Sequence, residues 1–265
     1  MASADPESVR KVDDRAICVS VVSHGQGALV DRLLGDLKKF SSASIARVIV
    51  TINLPDDAWA SPVDDPTVTV IRNPAPLGFA ANHNQAFAHC AEPMFAVVNP
   101  DIRLDSDPFV DLTRRLKSDL ACAVVAPIQL DARGMLESFA RSVPTPRSVT
   151  LRRLFPAARG PAADPSSVEW LAGAFMLWSA KAFRELGGFD SRYRLYCEDV
   201  DICLRLQLRG QRFAIVESAR VVHAAQRASR ASSRFLLTHV RSLLRLWLSP
   251  VFWRFVLTRP RAVSE

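Results

Sequence analysis

No run of about 18 apolar residues occurs in this chain, so no membrane-spanning helix is expected. No CxxC pair occurs either. The five cysteines, Cys18, Cys90, Cys122, Cys197 and Cys203, form an odd, dispersed set, which argues against a disulfide framework and a structural zinc site. The opening residues, MASADPESVRKVDD, carry acids and no apolar core segment, so residues 1–14 read as a disordered leader and not as a signal peptide. These absences place the expected protein in a reducing cytoplasm. Internal repeats are missing, and so is any recognised nucleic-acid motif, which leaves nucleic acid outside the expected partners.

What is present is apolar and basic. The 265 residues suffice for one large α/β domain or two small ones, nearly half of them are hydrophobic, and the formal net charge is +7. Positive excess fits an anionic partner, whether nucleic acid, a diphosphate ligand or an anionic membrane surface; arginine-rich coding bias explains the total equally well.

Periodicity gives an alternating order. AICVSVVS (16–23), RVIVTIN (47–53), TVTVIRN (67–73), MFAVVNPD (94–101) and ACAVVAP (121–127) read as buried strands. ALVDRLLGDLKKF and GFAANHNQAFAHCA have helical character, and Asp107-Pro108 opens another helix. This alternation predicts a mostly parallel sheet with helices on both faces. Ligands of such sheets bind beyond the carboxyl ends of the strands. That rule singles out Ser23, His24, Asn53, Arg72, Asn73 and Asn99 to Asp101. Residues 141–168, rich in Pro, Ser and Arg, read as a long loop or lid without helix or strand. SAKAFRELGG and CEDVDICLRLQLRG (197–210) read as helices, and RFAIVES and RVVH as strands. The expected organisation is a leader (1–14), a catalytic domain (15–230) and a basic amphipathic helical tail (231–265).

Three clusters carry chemistry. Asn99-Pro100-Asp101 places a carboxylate at a strand end, a natural ligand for a hard cation such as Mg²⁺ or Mn²⁺, though such a turn also serves as a plain strand exit. Glu198-Asp199-Val200-Asp201 puts acids in a helix's first turn, where the dipole favours them and where a general base could stand. Gly78-Phe79, followed by Asn82-His83-Asn84, offers a glycine for close approach and a helix N-terminus for negative charge; the alternative is a helix start with its polar side chains in solvent.

Together the runs NPAPLGFAANHNQAF, VVNPDIRL, WLAGAFML, GGFDSRYRLYCEDVDICLRLQLRG and VVHAAQRAS resemble the family 2 glycosyltransferases, in particular the rhamnosyltransferase-like branch of bacterial cell-surface polysaccharide synthesis. The resemblance covers residues from about 16 to 240. It implies a GT-A fold and an inverting, metal-dependent transfer from a nucleoside-diphosphate sugar, dTDP- or UDP-linked and by branch a rhamnose, to a saccharide or lipid-linked saccharide. It implies Asp199 as catalytic base with Glu198 as rival, and Asp101 and His223 as ligands of a divalent cation. Donor contacts would come from Ser23, His24, Asn53, Arg72, Asn73, Gly78, Phe79, Asn82 and Asn99, and a sugar and acceptor cleft from Trp170, Gly173 and Ala174. Asn99 stands where many relatives carry Asp. A nucleotidyltransferase, or a non-catalytic nucleotide- or nucleic-acid-binding protein, is the competing class. The former usually needs a Gly-rich basic loop after the first strand, and SHGQGALVDR is not one.

The tail has its own pattern. Nine arginines and no acid lie between Glu217 and Glu265. In SRFLLTHVRSLLRLWLS, Arg234, Thr238, Arg241 and Arg245 recur at helical spacing beside leucines, valine and tryptophan. That pattern suits a helix in an anionic membrane interface, expected at the inner face of the plasma membrane; packing on the catalytic domain is the alternative.

Overall fold

The structure is a computed structural model, and it describes residues 15–60, 65–154, 168–224 and 233–258. The chain begins with β1 (Ile17–Ser23), α1 (Gly27–Ser41), β2 (Ile45–Ile52), β3 (Val68–Arg72), α2 (Phe79–Phe87), β4 (Met94–Val98), β5 (Ile102–Arg103), α3 (Phe109–Ser118) and β6 (Cys122–Leu130). It continues with β7 (Ala140–Arg141), α4 (Pro146–Leu154), β8 (Trp170–Leu171), β9 (Phe175–Ser179), α5 (Ala180–Leu186), α6 (Glu198–Leu208), β10 (Arg212–His223), α7 (Ser233–Trp247) and α8 (Pro250–Thr258). Eight strands make one sheet in the order β3-β2-β1-β4-β9-β6-β10-β5, and β7 pairs with β8 beside it.

Strand alternation sorts the core onto two faces. Ile17, Val19 and Val21 of β1 join α1 and α3 residues such as Val30, Leu33, Phe109 and Leu112 on one face. Cys18 of the same strand, with Phe95 and Val97 of β4, meets Ala80 and Ala86 of α2 and Phe183 of α5 on the other. The expected helix–sheet–helix layering is therefore observed. The sheet is mixed: the β1–β2, β1–β4, β2–β3 and β6–β10 pairings are parallel. β9 is inserted antiparallel between β4 and β6, and β5 runs antiparallel to β10. The insertion follows from FMLW (175–178), whose four side chains are all buried and fill both faces at once.

Residues 141–168 do not form a plain loop. β7 ends at Arg141, and α4 begins at Pro146, where a missing N–H costs nothing. Thr145 caps it: Ser148 N–H donates to Thr145 Oγ1 at 3.1 Å, and Thr145 N–H donates to Ser148 Oγ at 3.0 Å. The remainder, residues 155–167, lies outside the described residues. RFAIVES and RVVH form one strand, β10, with a register shift between Val216 and Arg220.

The tail helices pack on the domain with one face. Leu243 and Leu246 of α7 and Phe252 and Phe255 of α8 are buried in the same cluster as α6 residues. Leu236, Leu237, Val240, Leu244, Leu248, Trp253 and Leu257 remain exposed. The packing alternative thus holds for one face of the tail, and the other face is exposed. Arg234 falls among residues whose side chains are not described.

Candidate active site

The NPD turn and the end of β10 are brought together by sheet pairing. β5 follows the turn directly and pairs antiparallel with β10, matching Ile102 to His223. Ala224 N–H donates to Asp101 O at 2.9 Å. The imidazole of His223 then lies between two carboxylates, with Nε2 3.3 Å from Asp101 Oδ1 and Nδ1 2.6 Å from Glu137 Oε2. Burial works against the charged ring, but the hydrogen bonds and charges of Asp101 and then Glu137 outweigh it and raise the His223 pKa. Asp101 Oδ1 is buried, and its contact with His223 Nε2 at 3.3 Å is an ion-pair approach without hydrogen-bond geometry. A buried carboxylate oxygen without a well-formed hydrogen bond, facing an imidazole oriented through its other nitrogen, fits a divalent cation. Glu137 was not foreseen from sequence. It lies in a loop after β6, and nothing local in DARGMLES marks it.

The second acidic cluster opens α6. Tyr196 and Cys197 precede it with φ of 70° and 69°, two consecutive non-glycine residues in the left-handed region. Backbone held there costs energy and is retained where surrounding structure imposes it. The following three acids have different fates. Asp201 is buried and paired with Arg205, Nε to Oδ2 at 2.7 Å; Arg205 also donates to the carbonyls of Leu186 and Gly188. This carboxylate anchors the helix to the GGFD turn. Glu198 is 4% exposed, and its Oε2 finds no partner. Burial, reinforced by the charge of Asp199, pushes its pKa well above the usual carboxylate range. Asp199 is also raised by burial, but it is opposed by N–H donors and by the charge of Arg141. Gly173 N–H donates to its Oδ2 at 3.1 Å and Val200 N–H to its Oδ1 at 2.9 Å. Of this coupled pair, burial pushes Glu198 further toward its protonated form than Asp199, whose charged form is favoured by its N–H donors.

Backbone connects the two acidic centres. Asn99 N–H donates to Ala174 O at 2.8 Å, and the neighbouring Gly173 holds Asp199. A Cβ on Gly173 would stand 3.2 Å from the ring of Phe79, so these residues form one surface. Trp170 sits largely buried behind it. Its indole N–H donates to Ser142 O at 3.1 Å, and Arg141 lies over its ring.

The expected donor residues form a network that shapes backbone. Asn53 accepts from Leu77 N–H at 2.8 Å through Oδ1 and donates to Leu77 O at 3.0 Å through Nδ2. Asn73 Nδ2 donates to Asn53 Oδ1 and to Asn82 Oδ1. These three buried amides hold the turn before Gly78. A Cβ on Gly78 would meet Arg194 O at 2.5 Å, and Phe79 N–H donates to that same oxygen at 2.9 Å. Gly78 is therefore a contact between the α2 start and the segment leading to α6. Asn53 Nδ2 also reaches His24 Nδ1 at 3.1 Å, and His24 is exposed. Ser23 Oγ accepts from Gln26 N–H and lies 3.4 Å from Asp57 Oδ2. Arg72 donates to the carbonyls of Asp57 and Trp59.

The Asn82-His83-Asn84 run does not face solvent. His83 is buried between aromatic rings, bonded to Ser20, and its pKa is lowered to about 3 by burial. Asn84 binds both the N–H and the carbonyl of Phe189. That explains the paired glycines of GGFD: Gly188 has φ +69°, and a Cβ there would meet Asn84 Oδ1 at 2.5 Å.

Among the described residues, a three-ligand cluster exists elsewhere, at Cys18, Cys90 and Glu92. It lies at the amino ends of β1 and β4. Glu92 is already paired with Arg47 there, and the neighbouring thiols are soft donors. It is separate from the acidic site.

An α/β sheet with paired acidic centres of this kind is the architecture of the GT-A glycosyltransferases. The solved structure of GalNAc-T7 with UDP, GalNAc and Mn²⁺ superposes with a TM-score of 0.62 at 16% identity, over 90% of this chain and 50% of that one. The mannosyltransferase PcManGT from Pyrobaculum calidifontis, in complex with GDP-Man and Mn²⁺, gives 0.57 at 16% identity, over 95% of this chain and 77% of that one. The chain spans half the length of the first of these, and at such identities the likeness concerns the fold.

The chain belongs to the glycosyltransferase family 2: the family model described as "Glycosyltransferase like family 2" matches residues 41–241. Rhamnosyltransferase WbbL of Escherichia coli (strain K12) is 28% identical over 63% of this chain and 69% of its own length. The N-acetylglucosaminyl-diphospho-decaprenol L-rhamnosyltransferase of Mycobacterium tuberculosis (strain ATCC 25618 / H37Rv) is 26% identical over 89% of this chain and 87% of its own.

Proposed function

We propose that this glycosyltransferase moves a sugar, rhamnose first among the choices, from a dTDP- or UDP-linked donor to a saccharide on a lipid carrier. The observation that carries the reading is the backbone path from the Asp101–His223 pair through Asn99, Ala174 and Gly173 to Asp199. It supports reading Asp101 and His223 as a cation site and Asp199 as the base of one cleft at the carboxyl ends of the strands. The rhamnosyltransferase relatives support the sugar, and the lipid-linked substrate named for the mycobacterial one supports the acceptor class.

Asp101 and His223 would hold a divalent cation, with Glu137 fixing the imidazole. When bound, the cation supplies charge stabilisation for the departing nucleoside diphosphate. Asp199 accepts the proton of the acceptor hydroxyl as it attacks the anomeric carbon from the face opposite the nucleotide, which inverts that centre. Gly173 and Val200 orient the carboxylate with their N–H groups. Ser23 and His24 border the nucleoside, and Gly78 and Phe79 the donor side of the cleft.

No described helix is long and apolar enough to cross a membrane. The exposed apolar residues of α7 and α8 instead support peripheral contact with an anionic bilayer. The experiment is a donor panel. With a lipid-linked acceptor and Mn²⁺, one nucleotide sugar should give acceptor-dependent release of its nucleoside diphosphate. Turnover of a nucleoside triphosphate with pyrophosphate release would favour the nucleotidyltransferase class instead.

A further inference from the structure

Between α7 and residues 192–194 lies a groove of about 600 Å³, lined by Arg192, Arg194, Arg241, Arg245, Leu244 and Leu248 among others. Arg192 is paired with Asp190. Among the described residues, no carboxylate pairs with Arg194, Arg241 or Arg245, and no carboxylate lines the groove. Guanidinium groups are well matched to phosphate oxygens, and three of them gathered beside apolar surface call for a ligand that is both anionic and greasy.

The groove is tied to the catalytic segment. Ser242 Oγ of α7 donates to Leu195 O at 2.7 Å, and the Tyr196 ring packs edge-on against His239 at 4.9 Å. Tyr196 and Cys197 are the two left-handed residues that lead into Glu198 and Asp199. The groove wall and the base are thus consecutive stretches of one chain. The apolar residues Leu236, Val240 and Leu244 of α7, and Leu248 just past its end, recur at four-residue spacing and are exposed, next to Arg241 and Arg245.

Resting on the reading that the acceptor is lipid-linked, we propose that this groove binds the acceptor's prenyl diphosphate. Arg194, Arg241 and Arg245 hold the two phosphates. The apolar ridge of α7 takes the first part of the prenyl chain, and the attached sugar points along residues 195–197 toward Asp199.

The test uses the full chain with Mn²⁺ and saturating nucleoside diphosphate, so that the donor site is filled. Farnesyl diphosphate is the probe. Arg241→Gln/Arg245→Gln should weaken its binding by about tenfold or more, the scale of losing charged hydrogen bonds. Lys117→Gln/Lys181→Gln, which removes equal charge from α3 and α5, should not. In turnover, the arginine variant should raise KM for a prenyl-diphospho-saccharide, leaving donor KM and transfer to an uncharged alkyl glycoside unchanged. Equal weakening by both double variants would overturn the site as a specific one. Loss of binding to phosphatidylglycerol vesicles with farnesyl diphosphate affinity retained would overturn it too, by making the arginines a bilayer contact. If wild type binds farnesyl diphosphate in the groove but transfers only to alkyl glycosides, the lipid-linked acceptor reading fails while the anion site stands.

Discussion

Gly173 N–H donates to Asp199 Oδ2 at 3.1 Å, joining the turn before β9 to the first turn of α6. This bond, with the one from Val200, favours the charged form of Asp199 in a place where burial disfavours it. Glu198, one residue away, has no such donors on Oε2. Two adjacent carboxylates are thereby shifted unequally, Glu198 further toward its protonated form.

Asp199→Asn should lower kcat by roughly 10²–10⁴-fold, the range of a lost general base, with donor affinity and folding retained. Glu198→Gln should keep most activity. Steady-state kinetics of the two variants decide the matter, and a larger loss from Glu198→Gln would exchange the roles.

The pH behaviour follows from the two shifts. Glu198 binds its proton more tightly folded than unfolded. Its contribution to stability is full below the ordinary carboxylate pKa and is lost as pH rises through the raised folded value. Glu198→Gln should therefore gain melting temperature relative to wild type as pH rises through that window, then level off. For turnover, the raised pKa of Asp199 moves the acid limb above the ordinary aspartate value, with rate falling as pH drops through it. Melting curves and kcat/KM profiles of wild type and variant check both signs.

Asp101→Ala should remove the Mn²⁺-dependent part of nucleoside diphosphate binding without unfolding the domain. Glu137→Gln should weaken cation affinity about 10–100-fold, as loss of a group that orients a ligand does. Thermal shifts with and without Mn²⁺ read both, since a ligand of the folded state raises its stability.

Gly78→Ala should destabilise the protein by about 1–3 kcal/mol, because the added methyl must displace backbone at Arg194. Gly35→Ala, where a Cβ meets nothing within 4 Å, is the control and should be neutral or stabilising. Denaturant melts of both measure the difference.

Removing residues 234–265 should expose the cluster that Leu243, Leu246, Phe252 and Phe255 help to close, and give an unstable or aggregating domain. A truncated form that melts at the wild-type temperature would show that the packing of α7 and α8 contributes nothing.

Much of this was legible because it was local. Strand runs, the acids of NPD and EDVD, and the helix stop at Gly187 all announce themselves over a few residues. α4 was hidden by its prolines, although Thr145, Pro146 and Ser148 spell a cap and a first helical position. Glu137 and the Asn84–Phe189 bond depend on pairing between distant segments, and no local pattern carries them. The left-handed Tyr196 and Cys197 were invisible for another reason: neither is the glycine that usually marks such backbone. The asparagines beyond the strand ends were found as a set, but their mutual bonding was not.

The most direct test is acceptor-dependent release of nucleoside diphosphate from dTDP-rhamnose by wild type and Asp199→Asn side by side, with Mn²⁺ and a prenyl-diphospho-saccharide. The account predicts release by wild type, with a glycosylated product of inverted anomeric configuration, and at least a hundredfold less by the variant at unchanged donor affinity, the scale of a missing base. Undiminished transfer by Asp199→Asn, or a product that retains the donor's configuration, would contradict it.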